Sequence, residues 1–348
     1  MINMVLQALQ KPESYDEDVK KIRLIQTHIS FVFLTGDYVY KIKKPVNFGF
    51  LDFTTLEKRK FYCEEEMRVN KALVGDIYLG VVPIVETPEG RIKVNDMGRV
   101  VEYAVKMIQL PQSAIMSNLL KENNIYKKDV AEIAKLVADF HSTANRGEEI
   151  NKYGSYEQIM TNWTQNFEQT ENLTVEYLYK EKYLELKDRV INFMDSNKEL
   201  FERRVREGKI RECHGDLHSG NIFIVRRPGK LYKSGIYIFD AIEFFKGFSC
   251  SDVLADIAFL SMDLEFNGRD YLDKSFIDAY FEFSDEEKLE NLLDFYKCYR
   301  AFVRMKVTGF MLFDENVDEE EKIEIRGLVK KYFELAGKYA TLLSITTH

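Results

Sequence analysis

The chain has 348 residues, and its 57 Asp and Glu outnumber its 49 Lys and Arg, which gives a formal charge of −8. This acidic balance disfavours nonspecific nucleic-acid binding, which depends on Lys and Arg neutralising phosphates. Hydrophobic residues form 45% of the chain and charged residues 30%, values typical of a globular protein and not of a disordered one. Glycine and proline are scarce, with 18 and 6 residues. This scarcity predicts long helices and excludes a loop-rich all-β fold.

Features that the sequence lacks narrow the class of protein further. No segment reaches the roughly 18 consecutive apolar residues that a membrane-spanning helix needs. Residues 1–7 do not have the cationic and apolar pattern of a secretory signal. The four cysteines are far apart and form no CxxC pair, which disfavours a disulfide framework or a zinc site. We therefore expect a cytoplasmic protein with no nucleic-acid or membrane partner, and its oligomeric state stays open.

The first part of the chain has the alternating pattern of β-strands. Residues with β-branched and aromatic side chains recur with a period of two, and Gly36 followed by Asp37 marks a turn. One helix is predicted over 54–73, with Thr54 or Thr55 as its N-cap. Residues 1–110 are therefore expected to form a small β-rich lobe with one helix. Its strands are predicted at 22–27, 31–35, 38–44, 78–86 and 99–110.

After Pro111 the hydrophobic period changes from two to about 3.6 residues. In 129–144 the apolar positions form one stripe, which is the pattern of a helix that faces a core. Residues 111–348 are predicted to form a larger, mainly helical lobe with a helical insertion at 150–208. A short β-rich island interrupts this pattern at 210–243. The predicted fold class is therefore α+β with two lobes.

The β-rich island carries the strongest chemical signal in the chain. Residues 214–221 read HGDLHSGN, and a later apolar strand ends in IFDAIE at 238–243. Phosphoryl transfer uses such a set, because one Asp accepts the proton of the attacking hydroxyl while an Asn and a second Asp hold Mg²⁺ against a triphosphate. Oxygen ligands also favour Mg²⁺ over softer metals. The candidates are Asp216, Asn221 and Asp240.

Two other interpretations of this segment were considered. Asp, Gly and Asn are common turn formers, so the segment could be an ordinary turn. The i, i+4 spacing of His214 and His218 suggests a zinc site only if the segment is helical, and Gly215 opposes a helix. The agreement of loop, spacing and second Asp favours phosphoryl transfer.

These motifs resemble those of a known family. HGDLHSGN followed by IFD is similar to the catalytic loop and metal-binding Asp of the aminoglycoside phosphotransferase and choline kinase family, relatives of protein kinases. The resemblance covers nearly the whole chain and extends to ADFH at 138–141 and SDVLADIAFL at 251–260. Residues 40–52 and 300–304 resemble a bacterial branch described only as aminoglycoside phosphotransferase-like.

The resemblance implies a two-lobed protein-kinase-like fold and a role for each motif residue. Asp216 would be the catalytic base, and Asn221 and Asp240 would be the Mg²⁺ ligands. His214 would brace the catalytic loop, and Asp256 would support it from the following helix.

The first lobe is expected to hold the nucleotide. A strand Lys that contacts phosphates is held by a Glu on the following helix. Lys41 is the preferred lysine because it lies deeper in the apolar strand, but Lys43 shares its face and stays a rival. Glu66 is the preferred partner. Glu64 stays open as an alternative, and Glu65 points away.

The chain departs from the usual kinase pattern at the phosphate-binding loop. No GxGxxG occurs, and the turn between the first two strands is THIS at 27–30. Ser30 or a backbone N–H of this turn is expected to reach a phosphate. Backbone groups from Met107 to Gln109, where the two lobes should meet, are expected to contact the adenine edge, although core packing is the usual role of such residues.

Two further features have structural and functional interpretations. Arg300 and Arg304 share a helix face at i, i+4, and they could pair with Asp252 or Asp256 or contact a substrate or phosphate. Trp163 lies in the helical insertion, where a core position is favoured over substrate stacking.

The sequence therefore predicts an ATP- and Mg²⁺-dependent phosphotransferase that acts on a hydroxyl of a small molecule. A kinase acting on protein Ser or Thr and a nucleotide-binding regulator without turnover stay as alternatives. The acceptor is open among aminoglycosides, choline-like amines, amino-alcohols and sugars.

Overall fold

The computed structural model describes residues 1–176, 178–314 and 317–343. Its strands are β1 (Arg23–Gln26), β2 (Ser30–Leu34), β3 (Tyr38–Lys43), β4 (Tyr78–Glu86), β5 (Ile92–Val94), β6 (Arg99–Ile108), β7 (Ile210–Glu212), β8 (Ile222–Val225), β9 (Gly235–Ile238) and β10 (Cys250–Asp252). Its helices are α1 (Ile2–Ala8), α2 (Leu56–Val74), α3 (Met116–Lys121), α4 (Lys127–Thr143), α5 (Glu148–Asn151), α6 (Tyr156–Gln169), α7 (Glu171–Glu176), α8 (Lys180–Ser196), α9 (Lys198–Arg206), α10 (Lys246–Ser249), α11 (Val253–Phe266), α12 (Asp270–Phe283), α13 (Glu290–Phe310) and α14 (Glu319–Leu342).

The described chain divides into two compact units. The first unit contains Met1–Asn123 and Gly220–Lys246, and the second contains 124–219 and the described residues from 247 onward. These units divide the chain after residues 123, 219 and 246. The lobe boundary expected at residue 110 is a different division and stays a prediction. The hairpin β8–β9 belongs to the first unit because Val225 packs with Val105 and Met107 in one apolar cluster.

The first unit is built on an antiparallel sheet in the order β1-β2-β3-β6-β4-β5. Strand β3 lies inside this sheet, where Lys41 is opposite Val32 on β2 and Val105 on β6. Since side chains alternate along a strand, Lys41 and Lys43 lie on the same face.

Helix α2 packs against β4 and β6 of the same sheet. It begins where the Thr55 hydroxyl accepts a hydrogen bond from the Lys58 N–H, a typical N-cap. It ends at Gly75, whose φ of +55° is a conformation that favours glycine. The helix thus starts and stops at local signals, and it carries Glu66 to a buried position.

The second unit is mainly helical. Helix α13 packs against α11 and α14, and α12 packs against α4. Nearly every residue of α11 is buried, so this helix forms the centre of the unit. A short antiparallel pair, β7 with β10, joins Glu212 to Cys250 beside it.

Trp163 of α6 is a core residue of the second unit, as favoured from the sequence. Its ring is fully buried and stacks on Phe167 with centroids 5.2 Å apart. The rings of Phe302 and Tyr299 lie at 5.4 and 5.3 Å, in edge contacts. This geometry is typical of an aromatic core.

The structure confirms the predicted α+β class and most elements of the first part of the chain. The sequence analysis missed α1 and β5. Helix α1 has seven residues, and β5 has three. Elements this short carry too little periodicity to be distinguished from loops. In the described part of the chain, no helix is both long and apolar enough to cross a membrane.

We expect Trp163→Ala to lower the free energy of unfolding by about 3 to 5 kcal/mol, because the change leaves a cavity among aromatic rings. The measurement is urea denaturation followed by circular dichroism. Leu184→Ala, at an exposed position of α8, is the matched control and should change stability by less than about 0.5 kcal/mol. Equal effects of the two changes would contradict the core assignment.

Candidate functional site

The first unit contains a buried network of two lysines and three carboxylates. Lys41 Nζ lies 3.0 Å from Glu66 Oε1 and also pairs with Asp240. Lys43 Nζ lies 2.5 Å from the other oxygen of Glu66 and also pairs with Glu243. Glu66 is therefore shared by both lysines, each of which also contacts the segment that follows β9.

Glu66 and both lysines stay charged although they are buried, whereas burial raises the pKa of Glu243. The side chains of Glu66 and Lys43 are 0% exposed. Burial by itself raises the pKa of Glu66, but the combined opposite effect of Lys41 and Lys43 is larger and lowers the pKa to about 2. Burial lowers the pKa of Lys41, whereas Asp240 and Glu66 raise it well above its ordinary value. Each buried charge thus keeps a partner, which offsets the large cost of its desolvation.

The segment after β9 is also held through its backbone. The N–H of Ala241 donates to Asn70 Oδ1 at 2.9 Å, and Asn70 Nδ2 donates to the carbonyl of Glu66 at 2.9 Å. Asp240 has a φ of +65°, which is uncommon for a residue other than glycine. Its side chain is 52% exposed. The segment therefore presents one carboxylate toward solvent from a fixed backbone.

Asn221 lies at the same end of the β8–β9 hairpin as Asp240. It directly precedes β8, and its carbonyl accepts a hydrogen bond from the N–H of Phe239 at 2.8 Å. Because β8 and β9 are antiparallel, with Ile222 opposite Ile238, the start of one strand is beside the end of the other. The two predicted metal ligands are thus neighbours within the first unit.

Both candidate lysines contact Glu66, so this contact does not show which of them would bind a phosphate. Lys43 is fully buried, whereas the Lys41 side chain is 11% exposed and contacts the exposed Asp240. Glu64 and Glu65 lie on the outer side of α2, where they pair with Lys60 and Arg68. The sequence analysis missed Asn70 and Glu243. A polar residue one turn after Glu66, and a Glu three residues after Asp240, were the available signals.

The remaining nucleotide-site predictions concern Ser30, Met107 and Gln109, which lie in or next to strands of the first unit. Ser30 is in β2 opposite Lys43, and its buried hydroxyl has no hydrogen-bond partner among the described residues. The N–H of Gln109 donates to the carbonyl of Asp37 at 2.9 Å, and its side chain accepts from Gly36. Met107 is buried within β6. Their contacts with a nucleotide stay predictions.

In the second unit, a buried carboxylate holds the segment around Asp216. Asp256 of α11 accepts hydrogen bonds from the N–H groups of His214 and Gly215 at 3.0 and 2.8 Å. Arg300 donates to the carbonyl of Gly215 at 3.1 Å. His214 Nδ1 accepts from the N–H of Asp216 at 3.2 Å. The backbone on both sides of Gly215 is therefore fixed by side chains of the unit.

Two observations explain why residue 215 is a glycine. Its φ is +82°, and a Cβ atom there would lie 2.7 Å from the carbonyl oxygen of Phe248. A side chain at this position would be strained and would collide with backbone.

The carboxylate of Asp216 is partly accessible. Its side chain is 37% exposed, and one oxygen lies 3.3 Å from His218 Nε2. Burial by itself lowers the pKa of His218, but the hydrogen bond to Asp216 and nearby negative charge outweigh this effect, so the pKa is raised. His218 also packs against Phe259, with ring centroids 5.3 Å apart. An accessible carboxylate can accept a proton when it is ionised.

A buried histidine completes the support of Asp256. His141 Nε2 lies 3.1 Å from Asp256, and its Nδ1 lies 2.8 Å from the Tyr280 hydroxyl. Burial raises the pKa of Asp256, but the hydrogen bond from His141 and nearby positive charge lower it to about 2. Cys213 is also close to this pair. Since both ring nitrogens of His141 have protein partners, the geometry indicates internal bracing and not a metal site.

The expected partners of the arginines on α13 were wrong. Asp252 pairs with Arg204 at 2.7 Å, and Asp256 pairs with His141, so neither receives an arginine from α13. Arg300 donates to backbone carbonyls instead. The Arg204 pair joins residues 48 positions apart in sequence, and local spacing contains no signal for it.

Comparison with known proteins gives relatives in sequence and in fold. No family model matches the chain. Uncharacterised proteins of Mycobacterium tuberculosis and Mycobacterium bovis are 30% identical over 282 residues, which cover 81% of this chain and 53% of each relative. The chain thus spans about half the length of the curated relatives that it matches.

Three solved structures are similar over almost the whole chain. A microcompartment-associated aminopropanol kinase has a TM-score of 0.54 and 13% identity, covering 98% of this chain and 99% of that one. A choline/ethanolamine kinase family protein from Mesorhizobium loti has a TM-score of 0.51 and 12% identity, covering 97% and 99%. An amicoumacin kinase in complex with AMP-PNP and Ca²⁺ has a TM-score of 0.50 and 15% identity, covering 95% and 93%. The resemblance in the sequence motifs is therefore confirmed in the fold: the chain has the protein-kinase-like fold of these small-molecule kinases.

Proposed function

We propose that the chain is an ATP- and Mg²⁺-dependent phosphotransferase that transfers the γ-phosphoryl group to a hydroxyl of a small molecule. One observation carries the proposal: the Lys41 ammonium is held between a buried Glu66 and a half-exposed Asp240. A lysine held by a helix glutamate, next to a carboxylate that can take a metal, is the arrangement that kinases use to bind a nucleotide triphosphate.

The chemistry of the donor groups fits Mg²⁺. Asp240 and Asn221 offer hard oxygen ligands, and the Asp240 carboxylate extends toward solvent from a fixed backbone. Bound Mg²⁺ would supply positive charge that offsets the charge of the phosphates. Lys41 would contact the phosphates, and Asn70 would keep the backbone beside Asp240 in place.

In the proposed reaction, Asp216 accepts the proton of the acceptor hydroxyl. The acceptor oxygen forms a bond to the γ-phosphorus, and the bond from that phosphorus to the β,γ-bridging oxygen breaks, so that ADP leaves with the electron pair. Asp216 is suited to this role because its carboxylate is accessible and its backbone is braced through His214 and Asp256. His214 is a positioning residue in this scheme.

The proteins of similar fold support the same class of reaction. One is a kinase of aminopropanol, one belongs to the choline/ethanolamine kinases, and the amicoumacin kinase was solved with a nucleotide analogue and a divalent cation. These identities favour a small-molecule acceptor over a protein.

Asp216→Asn should lower ATP-dependent phosphotransfer by about 10²-fold or more, because an amide cannot accept the proton. The assay follows transfer from labelled ATP to a panel of hydroxylated metabolites and to protein acceptors. Asp139→Asn, at an exposed position of α4, is the matched control. Normal turnover in Asp216→Asn would refute the assignment of the base. ATP binding by the wild-type protein without transfer to any acceptor would favour a regulator.

Lys41→Met and Lys43→Met should have different effects. We expect Lys41→Met to weaken binding of AMP-PNP with Mg²⁺ by about tenfold or more, through loss of a charge-assisted contact. Lys43→Met should instead lower the free energy of unfolding by about 3 to 5 kcal/mol, because it leaves the buried Glu243 without its lysine and takes one of two lysines from Glu66. Calorimetric titration and urea denaturation of both variants provide the comparison. Weaker nucleotide binding by Lys43→Met than by Lys41→Met would assign the phosphate contact to Lys43.

Ionised Asp256 should make the protein sensitive to acid. Its pKa is lowered to about 2 in the folded chain, so its contribution is fully present above about pH 4, the pKa of free Asp, and is lost as the pH falls toward 2. The stability difference between wild type and Asp256→Asn should therefore shrink by about 1 kcal/mol between pH 7 and pH 3. Urea denaturation from pH 7 to pH 3 measures it, with exposed Asp188→Asn as control. A difference that does not change with pH would contradict the assignment.

A further inference from the structure

An arginine of the second unit is placed close to the segment that carries Asp216. Arg304 follows Arg300 by four residues on α13, so the two side chains share one face of the helix. Arg300 contacts the carbonyl of Gly215, the residue directly before Asp216. Arg304 is therefore one helical turn from the brace of the catalytic segment.

Arg304 is held by an aromatic ring and not by a carboxylate. Its guanidinium carbon lies 5.6 Å from the centre of the Tyr332 ring. Tyr332 stacks on Phe266 with centroids 3.9 Å apart and planes inclined by 10°, so the surface that carries the guanidinium is rigid. Within the described residues, Arg304 forms no ion pair with Asp or Glu. Its charge is thus oriented but not neutralised by direct contact.

The described residues Asp216 and Asp263 lie near Arg304 but form no ion pair with it. Burial lowers the pKa of Arg304, while Tyr332, Asp216 and Asp263 raise it, with a net rise. The largest of these upward effects comes from Tyr332, and the two carboxylates act through space. Asp263 accepts a hydrogen bond from the N–H of Ser219 at 2.8 Å. Asp256 is likewise occupied by backbone N–H groups.

Three carboxylates of the second unit already have ion-pair or hydrogen-bond partners within the protein. Asp252 is occupied by Arg204, and Asp256 and Asp263 by the backbone of the catalytic segment. Asp216 is assigned to the proton. Among the described residues, Arg304 lies near this segment without an ion pair to Asp or Glu, and a guanidinium offers a planar pair of N–H donors that matches a carboxylate or phosphate.

We propose that Arg304 binds an anionic group, a carboxylate or phosphate, on the acceptor molecule. The inference rests on the proposed function and specifies its substrate class as hydroxylated acids or their phosphorylated relatives. This class differs from the amines and amino-alcohols named for two of the proteins of similar fold. Arg304 is thereby a specificity-determining residue, and Asp216 remains the base.

The test compares three acceptors that share a three-carbon diol and differ in the end group. Glycerate carries a carboxylate, glycerol a hydroxyl and 3-amino-1,2-propanediol an ammonium. Transfer from labelled ATP is measured for the wild-type protein and for Arg304→Gln, Arg304→Lys and Lys330→Gln. Lys330 is an exposed residue of α14, and its change removes the same charge. Binding of each diol is measured in parallel by ligand-observed NMR, which needs no turnover.

We expect the wild-type kcat/KM to be about tenfold or more higher for glycerate than for glycerol, and lowest for the aminodiol. Arg304→Gln should reduce glycerate to the level of glycerol. Arg304→Lys should keep part of the preference, because it keeps the charge and loses the paired donors. Lys330→Gln should keep all of it. Binding of glycerate should depend on Arg304 in the same order.

Three results would overturn the inference: a wild-type preference for the aminodiol, an equal loss for all three diols in Arg304→Gln, or binding of glycerate that does not depend on Arg304. Transfer that depends on Asp216 without an anionic preference would refute the substrate class and leave the proposed function intact. Failure of the wild-type protein to use ATP would refute the proposed function, and the NMR comparison would then still decide whether Arg304 binds the carboxylate.

Discussion

The first unit depends on the buried ion pairs of Glu66 with two lysines. A carboxylate with no solvent exposure is stable only where cations replace its water, and Lys41 and Lys43 supply two of them from one strand. The same residue offers its carbonyl to Asn70, which holds the backbone after Asp240. Strand β3, helix α2 and the segment after β9 are therefore coupled through one side chain and its neighbour one turn later.

The second unit uses a buried carboxylate in a comparable way. Asp256 is surrounded by backbone N–H groups and a histidine and not by lysines, and it fixes the segment before Asp216. In both units the group proposed to act is partly exposed, while the carboxylate that positions it is fully buried. The accessible carboxylates are thus held in place by ion pairs and hydrogen bonds of buried groups.

Much of this arrangement was predictable because it depends on local pattern. The alternation in β3 predicts that Lys41 and Lys43 share a face, and the loop spacing relates Asp216 to Asn221. The same period of two also kept Lys43 as an alternative to the preferred Lys41, because both lie on the same face of the strand.

Interactions between distant segments were beyond this kind of reasoning. Glu243 was visible in the sequence, but nothing local indicated that a lysine 200 positions away would bury it. Arg204 and Asp252 pair for a similar reason. An ion pair of Arg300 with Asp252 or Asp256 was one of the interpretations left open, but buried backbone carbonyls also need donors, and Arg300 donates to two of them.

The double occupation of Glu66 has a consequence for regulation. Many kinases are switched off by moving the helix that carries this glutamate away from the strand lysine. Here such a movement would separate Glu66 from two ammonium groups and would leave Lys43 buried beside Glu243 alone. Breaking a buried ion pair costs several kcal/mol, so the helix has little freedom to serve as a switch.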